Sequence, residues 1–320
     1  MANPFERFSR IANSQGAYAA NGGVMVTPQR IILPTGVELD VWTAGDPANP
    51  PVIFLHGFPE SHRTWTAQMD ALASDHYCIA PDQRGFARSS KPPEVSDYTP
   101  DKMVGDLFAL ADALGIDRFT LAAHDWGGAI GWAAALKQPE RVVRLIICNA
   151  PHPLIFQRTL IDDMAQRQAS QYILAFRDTI EARIAENGLE WFFDHSFMRH
   201  LKASPVSAET RAAYLDEWCQ PGAIHAMLNW YRATPMRVPA MDETPPRPVY
   251  LDAPFPILQM PTLIIWGLND PALLPCQLEG LDTLVDDLTI ARIDCGHFTP
   301  WEAPEAVNAA LRDFLAARPV

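Results

Sequence analysis

Short runs of consecutive apolar residues alternate along this chain with stretches whose apolar positions recur every three or four residues. VIFLH (52–56), YCIAPD (77–82), FTLAAHD (119–125), Val142 to Cys148 and TLIIW (262–266) show no polar alternation, and Leu288 to Ile293 is more polar. Between them, Thr64 to Leu72, Asp101 to Leu114, Gly127 to Leu136 and Pro304 to Leu315 have helical spacing. Strands apolar on both sides need cover on both faces. The pattern therefore predicts an α/β fold, a mostly parallel sheet flanked by helices. Two more polar runs, Gln29 to Leu33 and Val37 to Trp42, predict an antiparallel pair leading into that sheet.

The rhythm stops after Ala150 and resumes at Thr262. From Pro151 to about Pro256 the spacing is helical and no strand is apparent. This predicts a core of residues 1–150 and 257–320, interrupted by a helical cap over 151–256. Proline is frequent, 29 of 320 residues, and clusters between Pro235 and Pro261, which points to a long connection there. There is no internal repeat.

Composition narrows the class of partner. The formal charge is −13 without a basic run, so a polyanion would be repelled and nucleic acid is not an expected partner. The first residues have neither a signal-peptide apolar region nor a membrane-spanning stretch, and a cytoplasmic protein is expected. Five cysteines (Cys78, Cys148, Cys219, Cys276, Cys295) stand singly, without a C-x-x-C pair, and are expected to be free thiols. No metal or cofactor is expected.

The segment AAHDWGGA (122–129) is the most informative. Asp125 falls where a strand run stops and a Gly-rich helical run begins. Small residues two before and two after it, Ala123 and Gly127, permit the sharp turn that exposes a nucleophile above a parallel sheet. Alone, the segment also fits a plain helix N-cap, a role that aspartate fills well. The rest of the chain shifts the balance. GLND (267–270) puts Asp270 at the end of a strand run, and DCGH (294–297) puts His297 just before the last helix. Nucleophile, acid and histidine thus follow in the order of a hydrolase triad, each at the carboxyl edge of the sheet. His76, His195, His200 and His225 lack that placement and are expected on the surface or in the cap. HGFPE (56–60) offers an oxyanion-hole N–H at Phe58, with a second at Trp126. DQRG (82–85) is expected to be a structural turn held by Asp82 and Arg84.

HGFPES (56–61) and HDWGG (124–128) resemble the epoxide hydrolases of the α/β-hydrolase superfamily, and the likeness runs the length of the chain after about residue 25. NWYR (229–232) resembles the segment carrying one of that family's two ring-opening tyrosines, which implies that role for Tyr231. QYILAF (171–176) resembles the stretch with the other and implies Tyr172. The resemblance also implies a substrate pocket bounded by Phe58, Trp126 and Trp230. Two positions depart from the family pattern: Ala123 replaces a glycine, and Asn149 stands where some relatives carry the triad acid. The second favours Asp270, since no acid competes with it.

The identity of the nucleophile restricts the chemistry. Serine attacking an sp³ carbon would leave an ether that water does not readily cleave, whereas aspartate leaves an ester. An epoxide or an alkyl halide is therefore expected as substrate, and the leaving group separates them. An opened epoxide leaves an alkoxide that needs a proton, which two phenols suit. Haloalkane dehalogenases share the tryptophan after the nucleophile but typically have a second halide donor where this chain has Phe58. Haloacetate dehalogenases place arginine where this chain has Trp126. The expected reaction is hydrolysis of a small apolar epoxide to a vicinal diol through an ester on Asp125. Dehalogenation, or a silent fold that only binds an apolar ligand, is the alternative. The natural epoxide, its stereochemistry and the oligomeric state are not legible.

Overall fold

The computed structural model describes residues 18–19, 25–198, 201 and 206–319. Nine strands among them form one sheet: β1 (Tyr18–Ala19), β2 (Met25–Ile32), β3 (Glu38–Ala44), β4 (Pro51–Leu55), β5 (Tyr77–Pro81), β6 (Phe119–His124), β7 (Val142–Cys148), β8 (Thr262–Gly267) and β9 (Leu288–Ile293). Their order is β1-β2-β3-β5-β4-β6-β7-β8-β9. The first three pair antiparallel and β3 joins β5 antiparallel. From β5 through β4 to β9 every pairing is parallel.

Period-two geometry explains why the central runs are apolar throughout. Ile53, Leu55, Leu121, Ala123, Leu145, Ile147, Ile264 and Trp266 pack into one core cluster. Their neighbours Val52, Phe54, Ala122, Ile146, Cys148, Leu263 and Ile265 pack into a second. The second cluster is covered by α1 (Thr66–Leu72) and α12 (Pro304–Ala317), with Met69, Leu72, Val307, Leu311, Phe314 and Leu315 facing inward. The first is covered by α2 (Pro100–Ala113) and α3 (Asp125–Lys137). The edge strand β9 is only partly buried, which accounts for its polar sequence.

Between β7 and β8 the described residues contain helices and turns but no named strand: α4 (Pro153–Asp162), α5 (Met164–Ala169), α6 (Tyr172–Asp178), α7 (Ile180–Asn187), α8 (Leu189–Phe192), a π-helical turn Phe193–Met198, α9 (Ala208–Trp218) and α10 (Ala223–Ala233). A short α11 (Thr299–Glu302) precedes α12. Through residue 257 the proline-rich connection after α10 has no helix or strand apart from a 3₁₀ turn at Val249–Asp252. Trp218 anchors α9 to the core by donating its indole N–H to the Pro59 carbonyl at 2.9 Å. No helix of the described residues is long and apolar enough to cross a membrane. The five cysteines are free thiols.

The DQRG turn is held as expected, but by partners outside it. Asp82 accepts from the His62 backbone N–H at 2.8 Å and the Trp42 indole at 3.2 Å, while Arg84 grips Asp106 of α2 through Nε and Nη2 at 2.6 and 2.7 Å.

Candidate functional site

Asp125 is the first residue of α3 and has φ +49°, a left-handed conformation that costs a non-glycine residue about 1–2 kcal/mol. The turn closes only because small residues surround it. A Cβ on Gly127 would lie 2.4 Å from the Leu55 carbonyl oxygen, and one on Gly57 would lie 2.4 Å from Asp125 Cβ. The strained backbone lifts the carboxylate to the sheet's carboxyl edge. There its Oδ1 accepts the Phe58 backbone N–H at 2.8 Å, and its Oδ2 lies 3.5 Å from His297 Nε2.

His297 follows β9, and its Nδ1 lies 2.7 Å from Asp270 Oδ2. Facing a carboxylate, Nδ1 carries the proton, so Nε2 is the atom turned to Asp125. Asp270 is fixed in turn. Its Oδ1 accepts from the backbone N–H groups of Ala272 and Leu273 at 2.8 and 3.0 Å, and its Oδ2 accepts from Asn149 Nδ2 at 2.8 Å. The three residues named from the sequence as a triad are therefore contiguous.

Their charges set one another. Burial alone would raise the Asp125 pKa, but the hydrogen bond and charge of His297, the charge of His124 and the Phe58 N–H hold it below the usual carboxylate value. Burial raises and His297 lowers the Asp270 pKa, again with a net downward result. Burial favours the neutral imidazole of His297, yet Asp270 and Asp125 outweigh it and hold its pKa well above the ordinary value. The free site thus keeps a proton on His297 between two carboxylates. Removing one of those charges is expected to release it. In Asp125→Asn, His297 should titrate at lower pH than in the unmodified protein, followed by the ring proton resonances in NMR. An unchanged titration would mean that Asp125 does not help hold the proton.

Tyr172 opens α6 and Tyr231 lies in α10, with ring centroids 6.3 Å apart. Tyr231 is 3% exposed and meets Trp126, Phe58 and Phe176 edge-on at 4.9, 5.0 and 5.0 Å. Burial, then the charge of Asp125, pushes the Tyr172 phenol above its usual value, and burial with the neighbouring Tyr172 and Asp125 does the same for Tyr231. Both phenols keep their protons at neutral pH.

Two cavities reach Asp125 and both tyrosines. The smaller, about 240 Å³, runs past Phe58, Phe176, Trp191 and His297. The larger, about 560 Å³, is bounded by Trp126, Leu154, Phe156, Met236 and Phe255, so the proline-rich connection supplies part of its wall. Trp230 departs from expectation. It lines neither cavity but packs behind Trp126, at 6.2 Å, with its indole N–H donated to the Arg84 carbonyl at 3.0 Å. His195 lies exposed in the cap region, as expected, and also lines the smaller cavity. His225 is bound to Glu181 in the cap region, and His76 lies beside Asp75. His200 lies outside the described residues.

Sequence reasoning missed two supports. In the sequence Asn149 reads only as a missing acid. Besides holding Asp270, its Oδ1 accepts from the Gly267 N–H at 2.8 Å and from the Thr299 hydroxyl. His124, fully buried, places Nδ1 2.7 Å from Glu60 Oε2 and Nε2 2.9 Å from the His297 carbonyl. Both nitrogens meet oxygens, and the ring ties the Phe58 loop, the turn at Asp125 and the histidine loop together. The signal was present in HGFPES and HDWGG, which contain both partners.

The fold and site are those of an α/β hydrolase, and residues 50–304 match the family model described as alpha/beta hydrolase fold. The chain is 31% identical to an epoxide hydrolase of Caballeronia sordidicola, over 89% of this chain and 92% of that one. A solved structure described as one of novel epoxide hydrolases from metagenomes in hot environments is 50% identical, with a TM-score of 0.85, covering 91% of this chain and 99% of that one. A mutant epoxide hydrolase from Bacillus megaterium, solved with its naphthyloxy-propanediol product, is 29% identical with a TM-score of 0.80, covering 90% and 100%. The chain belongs to the α/β-hydrolase fold family, among its epoxide hydrolases.

Proposed function

We propose that this chain hydrolyses an epoxide to a vicinal diol through a covalent ester on Asp125, within a cap formed by residues 151–256. The observation that carries the proposal is the division of labour at the Asp125 carboxylate. Oδ1 is occupied by the Phe58 N–H, while Oδ2 faces His297 in the cavity that Tyr172 and Tyr231 also line. Oδ2 attacks one epoxide carbon, the C–O bond breaks, and a tyrosine gives the departing oxygen its proton. Esterification removes the Asp125 charge that helped keep His297 protonated, so the imidazolium returns its proton to the tyrosinate and is left as a neutral base. It takes a proton from water, whose oxygen adds to the ester carbon. The resulting oxyanion is Oδ1, already on the Phe58 N–H, with the Trp126 N–H at the start of α3 as second donor. Collapse releases the diol with the former Oδ2, the second proton of the added water goes to the diol oxygen, and His297 keeps the proton it took, as in the free site. No step calls for a metal or cofactor.

The larger cavity suits an apolar substituent, and the aryloxy diol bound by the Bacillus megaterium relative is of that kind. A single turnover in heavy-oxygen water, with enzyme in excess, tests the scheme. The first diol should be unlabelled and the label should appear in the Asp125 peptide. Label in that first diol and none in the peptide would mean that water attacked the epoxide directly, with Asp125 as a base.

A further inference from the structure

The loop that supplies the Phe58 N–H belongs to the core by sequence, but its middle is held from outside the core. Its ends are fastened to each other and to the nucleophile turn. The Glu60 N–H donates to the Gly57 carbonyl at 3.1 Å, while Glu60 Oε2 accepts the Gly57 N–H at 3.2 Å and lies 2.7 Å from His124 Nδ1. Between those ends, Phe58 and Pro59 face the helices inserted between β7 and β8. The Phe58 ring lies 5.2, 6.1 and 5.0 Å from the rings of Phe176 in α6, Phe192 in α8 and Tyr231 in α10. Proline has no N–H, so the carbonyl is the one backbone group through which a hydrogen bond can fix Pro59. That carbonyl accepts the Trp218 indole N–H at 2.9 Å.

Trp218 is the last residue of α9 and is 2% exposed. Its ring packs on Phe192 and Phe193 at 5.1 and 5.6 Å, so Phe192 stands beside both Trp218 and Phe58. The two residues before it tie α9 to the core close by. Glu217 accepts from Arg63 Nε at 2.9 Å, and Asp216 accepts from Arg88 Nη2 at 2.5 Å. A buried indole N–H needs some acceptor. The acceptor here belongs to the residue that follows the Phe58 oxyanion donor.

We propose that Trp218 is a positioning residue for the second half-reaction. Its N–H holds the Pro59 carbonyl and so keeps the Phe58 N–H at Asp125 Oδ1, where the oxyanion forms. The inference rests on the ester mechanism proposed above, which gives the two half-reactions opposite demands. During alkylation negative charge leaves the carboxylate, so a donor on Oδ1 gains nothing in the transition state. During hydrolysis a full charge forms on Oδ1, and the same donor strengthens. Loosening the loop therefore slows hydrolysis and spares alkylation, a split that a general loss of packing would not produce.

The test places benzothienylalanine at position 218, which keeps the shape of the ring with sulfur in place of the N–H. Trp218→Phe is the second variant. Quenched-flow mass spectrometry with styrene oxide follows the Asp125 ester as it forms and decays. Both variants should slow decay by about tenfold, part of the roughly 10²–10³-fold that losing an oxyanion donor itself costs. Ester formation should stay within about twofold of the unmodified rate, so more ester accumulates at steady state. Arg88→Gln, which breaks the neighbouring contact of α9, should change neither rate. Equal slowing of both steps, or decay at the unmodified rate in the benzothienylalanine variant, overturns the proposal. If the unmodified protein forms no ester, the ester mechanism fails, and the Phe58 N–H decides the role of Trp218 by itself. Its hydrogen exchange is followed by NMR in protein carrying isotope-labelled phenylalanine. Faster exchange in the benzothienylalanine variant upholds the hold of Trp218 on the loop, and exchange at the unmodified rate overturns it.

Discussion

With His297 replaced by glutamine, the protein is expected to take up one substrate mass on Asp125 and keep it. Alkylation needs the carboxylate, its alignment and a proton for the leaving oxygen, and none of these comes from the imidazole. The Asp125 carboxylate is still held by the Phe58 N–H, and its turn is still braced by Gly57 and Gly127. Hydrolysis of the ester needs a base for water, a function worth about 10²–10⁴-fold, and glutamine supplies none. Intact-mass spectrometry after mixing with styrene oxide should therefore show a stable adduct, mapped to the peptide containing Asp125. The substitution leaves the backbone carbonyl of His297 available to His124, so the loop keeps its tie. Asp270→Asn should give a milder, slower version. It keeps the ring but removes the carboxylate that fixes a proton on Nδ1; the Ala272 and Leu273 N–H groups call for an oxygen at one position and Asn149 at the other, and the amide has only one to offer. An unmodified His297→Gln protein, with an epoxide the natural sequence hydrolyses, would assign His297 to the first step and remove the two-step division.

Much of the fold was legible because burial on both faces leaves a plain mark. Runs such as Val142 to Cys148 and Leu288 to Ile293 are strands with those very bounds, while the run ending at Asp125 stops one residue earlier, since Asp125 already belongs to α3. The candidate triad was legible for a related reason. Parallel strands deliver their carboxyl ends to one edge, so residues far apart in sequence meet there. What depends on helix rotation was not legible. Trp230 and Tyr231 are neighbours in α10, but successive helical residues point about 100° apart. Tyr231 enters the site while Trp230 turns back to the Arg84 carbonyl. The roles of Asn149, Glu60 and His124 depend on hydrogen bonds between loops, and no periodicity reports those. His195 reaches a cavity wall through a π-helical turn, which helical spacing does not anticipate.

The largest kinetic loss is expected from removing both phenols. Tyr172 and Tyr231 sit on separate helices, yet both line the two cavities that meet at Asp125. Burial raises both phenol pKa values, so the pair presents protons rather than phenolate at neutral pH. A departing alkoxide is far more basic than any phenolate and gains from each donor in the transition state. Tyr231→Phe should slow alkylation by about 10²-fold, and Tyr172→Phe by a similar factor. The two rings influence one another, so the effects need not add, and the double variant should lose about 10³–10⁴-fold. Deleting a hydroxyl leaves the ring contacts of Tyr231 with Trp126, Phe58 and Phe176 in place. Stability should therefore shift by no more than about 1–2 kcal/mol, which thermal unfolding checks. Stopped-flow tryptophan fluorescence, with Trp126 next to the reacting carboxylate, follows alkylation directly. The same variants should be tested with 1-bromohexane, whose halide departs without a proton. Loss with the epoxide alone assigns the phenols to proton donation. Alkylation of Tyr231→Phe by an epoxide at the unmodified rate would take Tyr231 out of the mechanism, and efficient bromide release by the unmodified protein would make dehalogenation its reaction.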